Sequence, residues 1–344
     1  MVELEIKKIK NYKYVYIKDR VKVNDKSLGI SIYVGRLGKI TLNDFFKKLR
    51  EYQLIRLKRF TDYWLKKRRA YLDNRKAFEL EVLHYSYQLF KEYYPDEMMR
   101  YEDSVFARYV QGTTAIEGNT ITLRQAEELL EHNVTPAGKS LREVYEIVNF
   151  RNLRRFFENY DGDVSERLIK KMHAIIMENL LESAGEYRRI QVAIEKAEHE
   201  PPPAFEVPDL MKELIDWYRK NKRTMHPFEL AVLLHTKFVT IHPFVDGNGR
   251  VARALMNFVL EKNGYPTLYL GLEHRERYLD VVAEGNKENY GPIIEFMCET
   301  YLKQHGSILD EIYSKIMEDK IEVFPEMEKL VKRFLDLSKK EKVE

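Results

Sequence analysis

The first forty residues alternate between apolar and polar positions, with Val2, Leu4 and Ile6 followed by Tyr12, Tyr14 and Tyr16, by Val21 and Val23, and by Ile30, Ile32 and Val34. A period of two, broken by Asn24-Asp25 and by Gly29, Gly35 and Gly38, predicts a small antiparallel sheet or hairpin pair. From Thr41 the period lengthens. Thr41-Leu42-Asn43-Asp44 is a helix start, and Leu54, Leu57, Phe60, Trp64 and Tyr71 recur at three- and four-residue steps. Similar spacing predicts helices over residues 77–94, 102–117, 141–160, 165–181, 227–241, 251–262, 275–284 and 292–303. Two more open at the capping box Thr122-Leu123-Arg124-Gln125 and at Pro208. From Gly185-Glu186-Tyr187-Arg188 to Ile194 the helical rhythm stops, and β-branched alternation leads into Pro201-Pro202-Pro203. A short hairpin or extended flap carrying Val192, Ala193 and Ile194 is expected there.

The chain therefore reads as mainly α, a helical bundle with a short β-hairpin flap, preceded by a small N-terminal β-containing segment. The pattern divides it into a β-rich segment (1–40), a helical N-terminal region (41–100), a core (101–303) and a charged helical tail (304–344) split by Pro325.

Composition narrows the function classes. In 344 residues, 44% are apolar and the net charge is only +3, which allows a sizeable core and argues against a general cationic coat for nucleic acid. One stretch is locally basic: Arg56, Lys58, Arg59, Lys66, Lys67, Arg68, Arg69, Arg75 and Lys76. A solvated helix face accounts for it, and so does a surface for nucleic acid or an acidic protein. Cys298 is the single cysteine, the start shows no signal-peptide pattern, and the most apolar stretch, Leu230 to Val239, contains His235 and Lys237. These features predict a cytoplasmic protein with no membrane span.

The chemistry concentrates in Ile241-His242-Pro243-Phe244-Val245-Asp246-Gly247-Asn248-Gly249-Arg250-Val251-Ala252-Arg253. Asn248 to Arg253 opens a helix, whose unpaired N–H groups and positive dipole end attract an anion, and two glycines let a phosphate come close. Arg250 and Arg253 can grip further phosphate oxygens. Asp246 offers an oxygen to a hard cation, so a nucleoside triphosphate with Mg2+ fits. His242, held extended before Pro243, can take a proton near neutral pH. The implied reaction is attack by an alcohol on an activated phosphorus. Other patterns fit less well. Gly247 to Ala252 matches a dinucleotide fingerprint but follows a helix rather than a strand. An EF-hand fails at Asn257, where a closing Glu belongs. His226, His235, His242 and Asp246 make a further, transition-metal reading, although His235 also suits a core position.

The stretch from His242 to Arg253 resembles the complete signature of the Fic (filamentation induced by cAMP) family, His-x-Phe-x-Asp/Glu-Gly-Asn-Gly-Arg-x-x-Arg. Similarity extends from about Phe106 to Tyr301. The resemblance implies a Fic-type bundle that transfers AMP from ATP to a Ser, Thr or Tyr hydroxyl of itself or a target protein, with pyrophosphate leaving. It implies His242 as base, Asp246 as the Mg2+ ligand, Gly247, Asn248, Gly249 and Arg250 as the phosphate cradle, and Arg253 on the γ-phosphate. The flap at Val192, Ala193 and Ile194 would align the target backbone. Similar enzymes also remove AMP or transfer UMP, phosphocholine or phosphate.

Glu117 ends the predicted helix 102–117, where its charge meets the negative end of the helix dipole at a cost of roughly 0.3–1 kcal/mol unless a cation answers it. Thr113 to Asn119 resembles the family's inhibitory motif, Ser/Thr-x-x-x-Glu-Gly/Asn. The resemblance implies that Glu117 pairs with Arg253 and mis-seats ATP; a plain Thr114–Glu117 capping box is the other reading. The N-terminal unit, outside the resemblance, is a candidate for homodimerisation or for a nucleic-acid or protein-binding module.

Overall fold

The computed structural model describes residues 2–24, 26–193, 199–306 and 325–341. Three strands and twelve α-helices lie among them. Cα packing divides the chain into two compact units, residues 1–66 with 77–95 and 305–344, and residues 67–76 with 96–304.

In the first unit the alternating residues form β1 (Glu3–Ile9), β2 (Tyr12–Val23) and β3 (Lys26–Arg36), antiparallel in that order with a bulge at Val15/Tyr16. One face buries Leu4, Val15, Ile17, Val21, Ile30 and Ile32. Phe45, Leu49, Tyr52 and Trp64 of α1 (Leu42–Leu65) join that core, with Tyr85 and Leu89 of α2 (Asn74–Tyr93) and Leu330 and Phe334 of α12 (Pro325–Glu341). The Phe45 and Phe334 rings stack at 4.2 Å. Asp19, turned inward, is answered by the Tyr52 hydroxyl at 2.6 Å and by Arg56 at 3.5 Å. Thr41 and Asp44 cap α1 reciprocally.

The basic stretch is not one helix. α1 ends at Leu65, short of Tyr71, because the next residues find backbone partners elsewhere: Arg68 N–H donates to Thr224 O and Arg68 O accepts from His226 N–H. Five of the cations are engaged within their own unit. Arg56 bonds Tyr93 and Glu92, Lys67 bonds the Arg223 carbonyl, Arg68 bonds Asn221, Arg69 bonds Asn74, and Lys76 bonds Glu295 and Glu299.

The second unit is helical throughout: α3 (Pro95–Ala115), α4 (Leu123–His132), α5 (Leu141–Glu158), α6 (Glu166–Ile176), α7 (Val207–Asn221), α8 (Pro227–Ile241), α9 (Asn248–Lys262), α10 (Arg275–Asn286) and α11 (Gly291–Gln304). α8 is the axis. Its residues from Pro227 to Thr236 are all buried, and α7, α9, α10 and α11 pack round it. α9 lies against α8 and α6, so the loop between α8 and α9 rests on three helices. α6 stops at Ile176 rather than continuing to Leu181, because Asn149 Nδ2 donates to the carbonyls of Ile176 and Glu178 and takes over their bonding. The expected flap is only partly described. Ile194 lies outside the described residues, while Val192 and Ala193 are in non-strand backbone, and Gln191 Nε2 donates to Pro201 O at 2.8 Å across the base.

A buried carboxylate fixes how the chain enters this unit. Glu229, fully buried, accepts from the backbone N–H groups of Ala70, Tyr71 and Leu72 at 2.9, 2.9 and 2.6 Å. Glu229→Ala would leave these amides without an acceptor and is expected to lower the unfolding free energy by about 2–5 kcal/mol. The urea midpoint should fall at unchanged slope, and Glu229→Gln, which keeps one acceptor oxygen, should lose less.

Candidate active site

His242 terminates α8. Its backbone is left-handed (φ 51°, ψ 59°), not extended as Pro243 suggests, because its N–H caps the helix on Phe238 O at 3.1 Å. Arg188 holds that corner from outside. Its Nε donates to His242 O at 2.8 Å, its backbone N–H to Pro243 O at 2.9 Å, and its remaining nitrogens reach the carbonyls of Ile190 and Pro202 on both limbs of the flap. Burial pushes the His242 pKa down to about 4, with the Arg188 and His199 charges adding to the effect and the Val239 carbonyl opposing it. At neutral pH the ring is therefore uncharged and able to accept a proton.

The loop after His242 closes on itself. Asn248 Oδ1 accepts from Phe244 N–H and Asn248 Nδ2 donates to Phe244 O, both at 2.9 Å. The Phe244 ring stacks on His173 at 3.7 Å. His173 Nδ1 accepts from Gly185 N–H at 2.7 Å, so the ring's proton sits on Nε2 and is donated to Asp246 O at 3.0 Å. Burial lowers the His173 pKa to about 4, which keeps this neutral tautomer. Gly247 is left-handed (φ 81°), and a Cβ there would stand 2.6 Å from Met177 Sδ. α9 then begins. The N–H groups of Asn248, Gly249 and Arg250 lie in its first turn, where helical geometry provides them no acceptor and the dipole favours an anion.

The two arginines are buried, not splayed toward solvent. Arg250, 2% exposed, is held between Glu146 of α5 at 3.3 Å and Asp246 at 3.1 Å. Asp246 remains partly exposed and also accepts from Gly247 N–H at 2.6 Å. Arg253, 3% exposed, faces the end of α3: Nε donates to Thr113 Oγ1 at 2.7 Å, Nη2 to Thr113 O at 2.9 Å and to Glu117 Oε1 at 2.7 Å. Burial alone would lower the Arg253 pKa, but Tyr278 and Glu117 outweigh it and hold the pKa raised. Arg275 Nε caps Ile116 O at 2.9 Å, so two cations answer the negative end of the α3 dipole. Thr114 instead bonds back to Val110 O and Gln111 O, in place of the capping box considered from the sequence.

The structure thus brings His242, Asp246, Gly247, Asn248, Gly249, Arg250, Arg253 and Glu117 to one place, with Val192 and Ala193 on the limb that Arg188 ties to His242. Sequence reasoning gave no role to Glu146, His173, Arg188 or Tyr278. Glu146 links two parts of the site, since its other oxygen accepts from Asn119 Nδ2 at 2.8 Å, directly beyond the Glu117 turn. The Tyr278 hydroxyl bonds His235 Nε2 at 2.9 Å and accepts from Arg253 at 3.4 Å. Only Gly185-Glu186-Tyr187-Arg188, inside the stretch similar to the Fic family, carried a signal for any of them.

His235 is driven down to about 3 by burial and then by the Arg253 charge. With His173 and His242 both near 4, three histidines stay neutral in the fold where the unfolded chain, at about 6.5, takes up protons. The stability they support is complete above about pH 6.5 and falls as pH drops toward 4. The fully buried His173 and His235 should each contribute about 1.4 kcal/mol per pH unit at the steepest point. Urea unfolding at pH 7, 6 and 5 measures this, and unchanged stability at pH 5 would show that these rings are charged in the fold.

Residues 163–260 match the family model for the Fic/DOC family. The protein adenylyltransferase Fic of Nematostella vectensis is 31% identical over 214 residues, covering 58% of this chain and 48% of its own length. That of Culex quinquefasciatus is 31% identical over 215 residues, with 59% and 41% covered. The chain thus spans less than half the length of these curated relatives. Among solved structures, a Fic family protein from Desulfovibrio desulfuricans G20 is 27% identical with a TM-score of 0.62, covering 70% of this chain and 74% of that one. A Fic domain containing signaling protein from Bacteroides thetaiotaomicron VPI-5482 shares the fold at a TM-score of 0.61 and 24% identity, over 70% of this chain and 98% of that one. In sequence, residues 163–260 are thus similar to the Fic/DOC family, and the chain shares its fold with solved Fic proteins.

Proposed function

We propose that this protein is an autoinhibited protein adenylyltransferase, moving AMP from ATP to a Ser, Thr or Tyr hydroxyl of itself or a target. One observation carries the reading: a neutral His242 and the open first turn of α9 share a loop, while Arg253 of the same helix is occupied by Glu117. The relatives' name, protein adenylyltransferase, supports it.

The ATP phosphates sit over the first-turn amides of Asn248, Gly249 and Arg250. Asp246 suits Mg2+, because a single partly exposed carboxylate beside a phosphate site is the donor set this ion takes when phosphates and water complete its shell. Held by Asp246, such an ion would supply charge neutralisation to the phosphates. His242 takes the proton of the attacking hydroxyl as its oxygen bonds the α-phosphorus, and the bond to the β-phosphate oxygen breaks, releasing pyrophosphate. The limb carrying Val192 and Ala193 runs beside this corner and aligns the target backbone.

The restraint follows from charge. Arg253 is the arginine a γ-phosphate can claim, since Arg250 is committed to two carboxylates and Arg253 to one that is partly exposed. With Glu117 on Arg253, the γ-phosphate meets a carboxylate where it requires a cation. A second reading uses that carboxylate to orient water and remove AMP from a modified protein, because Glu117 is one-third exposed and only Oε1 holds Arg253. Among the described residues no helix is long and apolar enough to cross a membrane, and the buried lone Cys298 fits the reducing cytoplasm we assign.

Glu117→Gly is expected to raise AMP incorporation at least tenfold with ATP and Mg2+, and His242→Ala to abolish it, both read by intact-protein mass spectrometry. Absence of any AMP adduct on Glu117→Gly or on partners from its own lysate would overturn the reading. AMP release from a modified protein, lost on Glu117→Gly, would favour the second. Since the base must be neutral, Glu117→Gly activity should stay level from pH 8 to about 5 and decline toward pH 4, where His242 gains its proton.

A further inference from the structure

The first unit carries a surface with no part in this chemistry. One face of its sheet is core; the other presents Lys7 and Ile9 of β1, Tyr12, Tyr14, Tyr16, Lys18, Arg20 and Lys22 of β2, and Ser31, Tyr33 and Arg36 of β3, placed together by the strand register. Tyr33 lies 5.4 Å from Tyr16 and 6.1 Å from Tyr14, ring centre to ring centre. Cations flank the rings: Arg36 stacks 3.4 Å over Tyr12, and Lys7 sits 4.7 Å over Tyr16. Tyr12 and Tyr33 remain 43% and 48% exposed. Two carboxylates, Glu3 and Glu5, share the face with five cations, and Glu5 is taken by Lys18 at 2.7 Å.

Tyrosines paired across strands stabilise a sheet by themselves. That role leaves unexplained the guanidinium stacked on the outermost ring and the run of small residues, Ser27, Gly29 and Ser31, beside Arg20 and Lys22. Gly29 is not there for packing, since a Cβ would meet nothing within 4 Å. Aromatic faces flanked by cations, next to a strip of small residues, are what unpaired bases require: stacking for the base, charge for the phosphate, and hydroxyls for a 2′-OH. A duplex keeps its base faces covered and gains nothing from exposed rings. An acidic protein would use the cations but not the stacked rings.

We propose that the outer face of the β1–β2–β3 sheet binds single-stranded RNA, with bases stacking on Tyr14, Tyr16 and Tyr33 and phosphates meeting Arg20, Lys22 and Arg36. The basic stretch around α1 is not that surface, because its cations are largely engaged within the protein.

Fluorescence anisotropy of the full chain with a labelled mixed-sequence RNA 12-mer tests this, alongside the same sequence as single-stranded DNA and as RNA duplex. Micromolar binding of the single strand at 50 mM salt is expected. The triple variant Tyr14→Ala/Tyr16→Ala/Tyr33→Ala should weaken it at least tenfold while the three Phe substitutions retain most of it. Arg20→Ala/Lys22→Ala/Arg36→Ala should flatten the slope of log K against log salt by about 2. Excess ATP with Mg2+ should not compete. No binding at 50 mM salt, equal or tighter binding of DNA or duplex, full affinity in the Ala triple variant despite an unchanged melting midpoint, or displacement by ATP would each overturn the proposal.

Discussion

A guanidinium does not give up its charge on burial, so Arg253, 3% exposed inside a helical unit, obliges its surroundings to answer it. Four groups do so: the Thr113 hydroxyl and carbonyl, the Tyr278 hydroxyl and the Glu117 carboxylate. They come from α3, from the turn after it and from α10, so a single charge draws three parts of the unit onto α9. Only Glu117 is both charged and partly exposed. It is the member that can leave most cheaply, because it can be rehydrated, whereas Thr113 and Tyr278 are buried in place.

Around this charge the histidines do the opposite work by remaining neutral. His173 uses one nitrogen to receive Gly185 and the other to hold the Asp246 carbonyl, which ties the root of the flap and the phosphate loop to α6 through one uncharged ring. His235 accepts at the far side of Tyr278. Were either to gain a proton, its accepting nitrogen would become a donor; His173 would then lose its bond from Gly185 N–H, and the loop would lose a support. The loop between α8 and α9 is thus kept in register by groups that carry no charge themselves.

Much of this was legible in the sequence. The period of two gave the three strands, the apolar run gave α8 from Pro227 to Ile241, and Thr41 and Thr122 marked two helix starts through their capping boxes. What failed was decided by distant partners. α1 stops early because residues 224–226 pair with Arg68, and α6 stops early because Asn149, nearly thirty residues upstream, takes its last carbonyls. At His242 the rule that proline favours an extended predecessor lost to the need of α8 for a C-terminal cap. Glu146 was hidden by its neighbours: four residues after Arg142, it reads as an ordinary surface pair, and only the approach of α9 reveals it as the partner of Arg250.

Gly249 is more constrained than its place in a phosphate loop requires. A methyl group there would lie 2.7 Å from Glu117 Oε1 and 3.0 Å from Arg253 Nη1. On the proposed function, the empty space beside one α-carbon would serve two occupants in turn, the nucleotide and the Glu117 carboxylate. A side chain at 249 that displaced Glu117 would also crowd the first turn of α9. On that proposal, the half of the pair that can change without disturbing the loop lies on the α3 side, at Glu117.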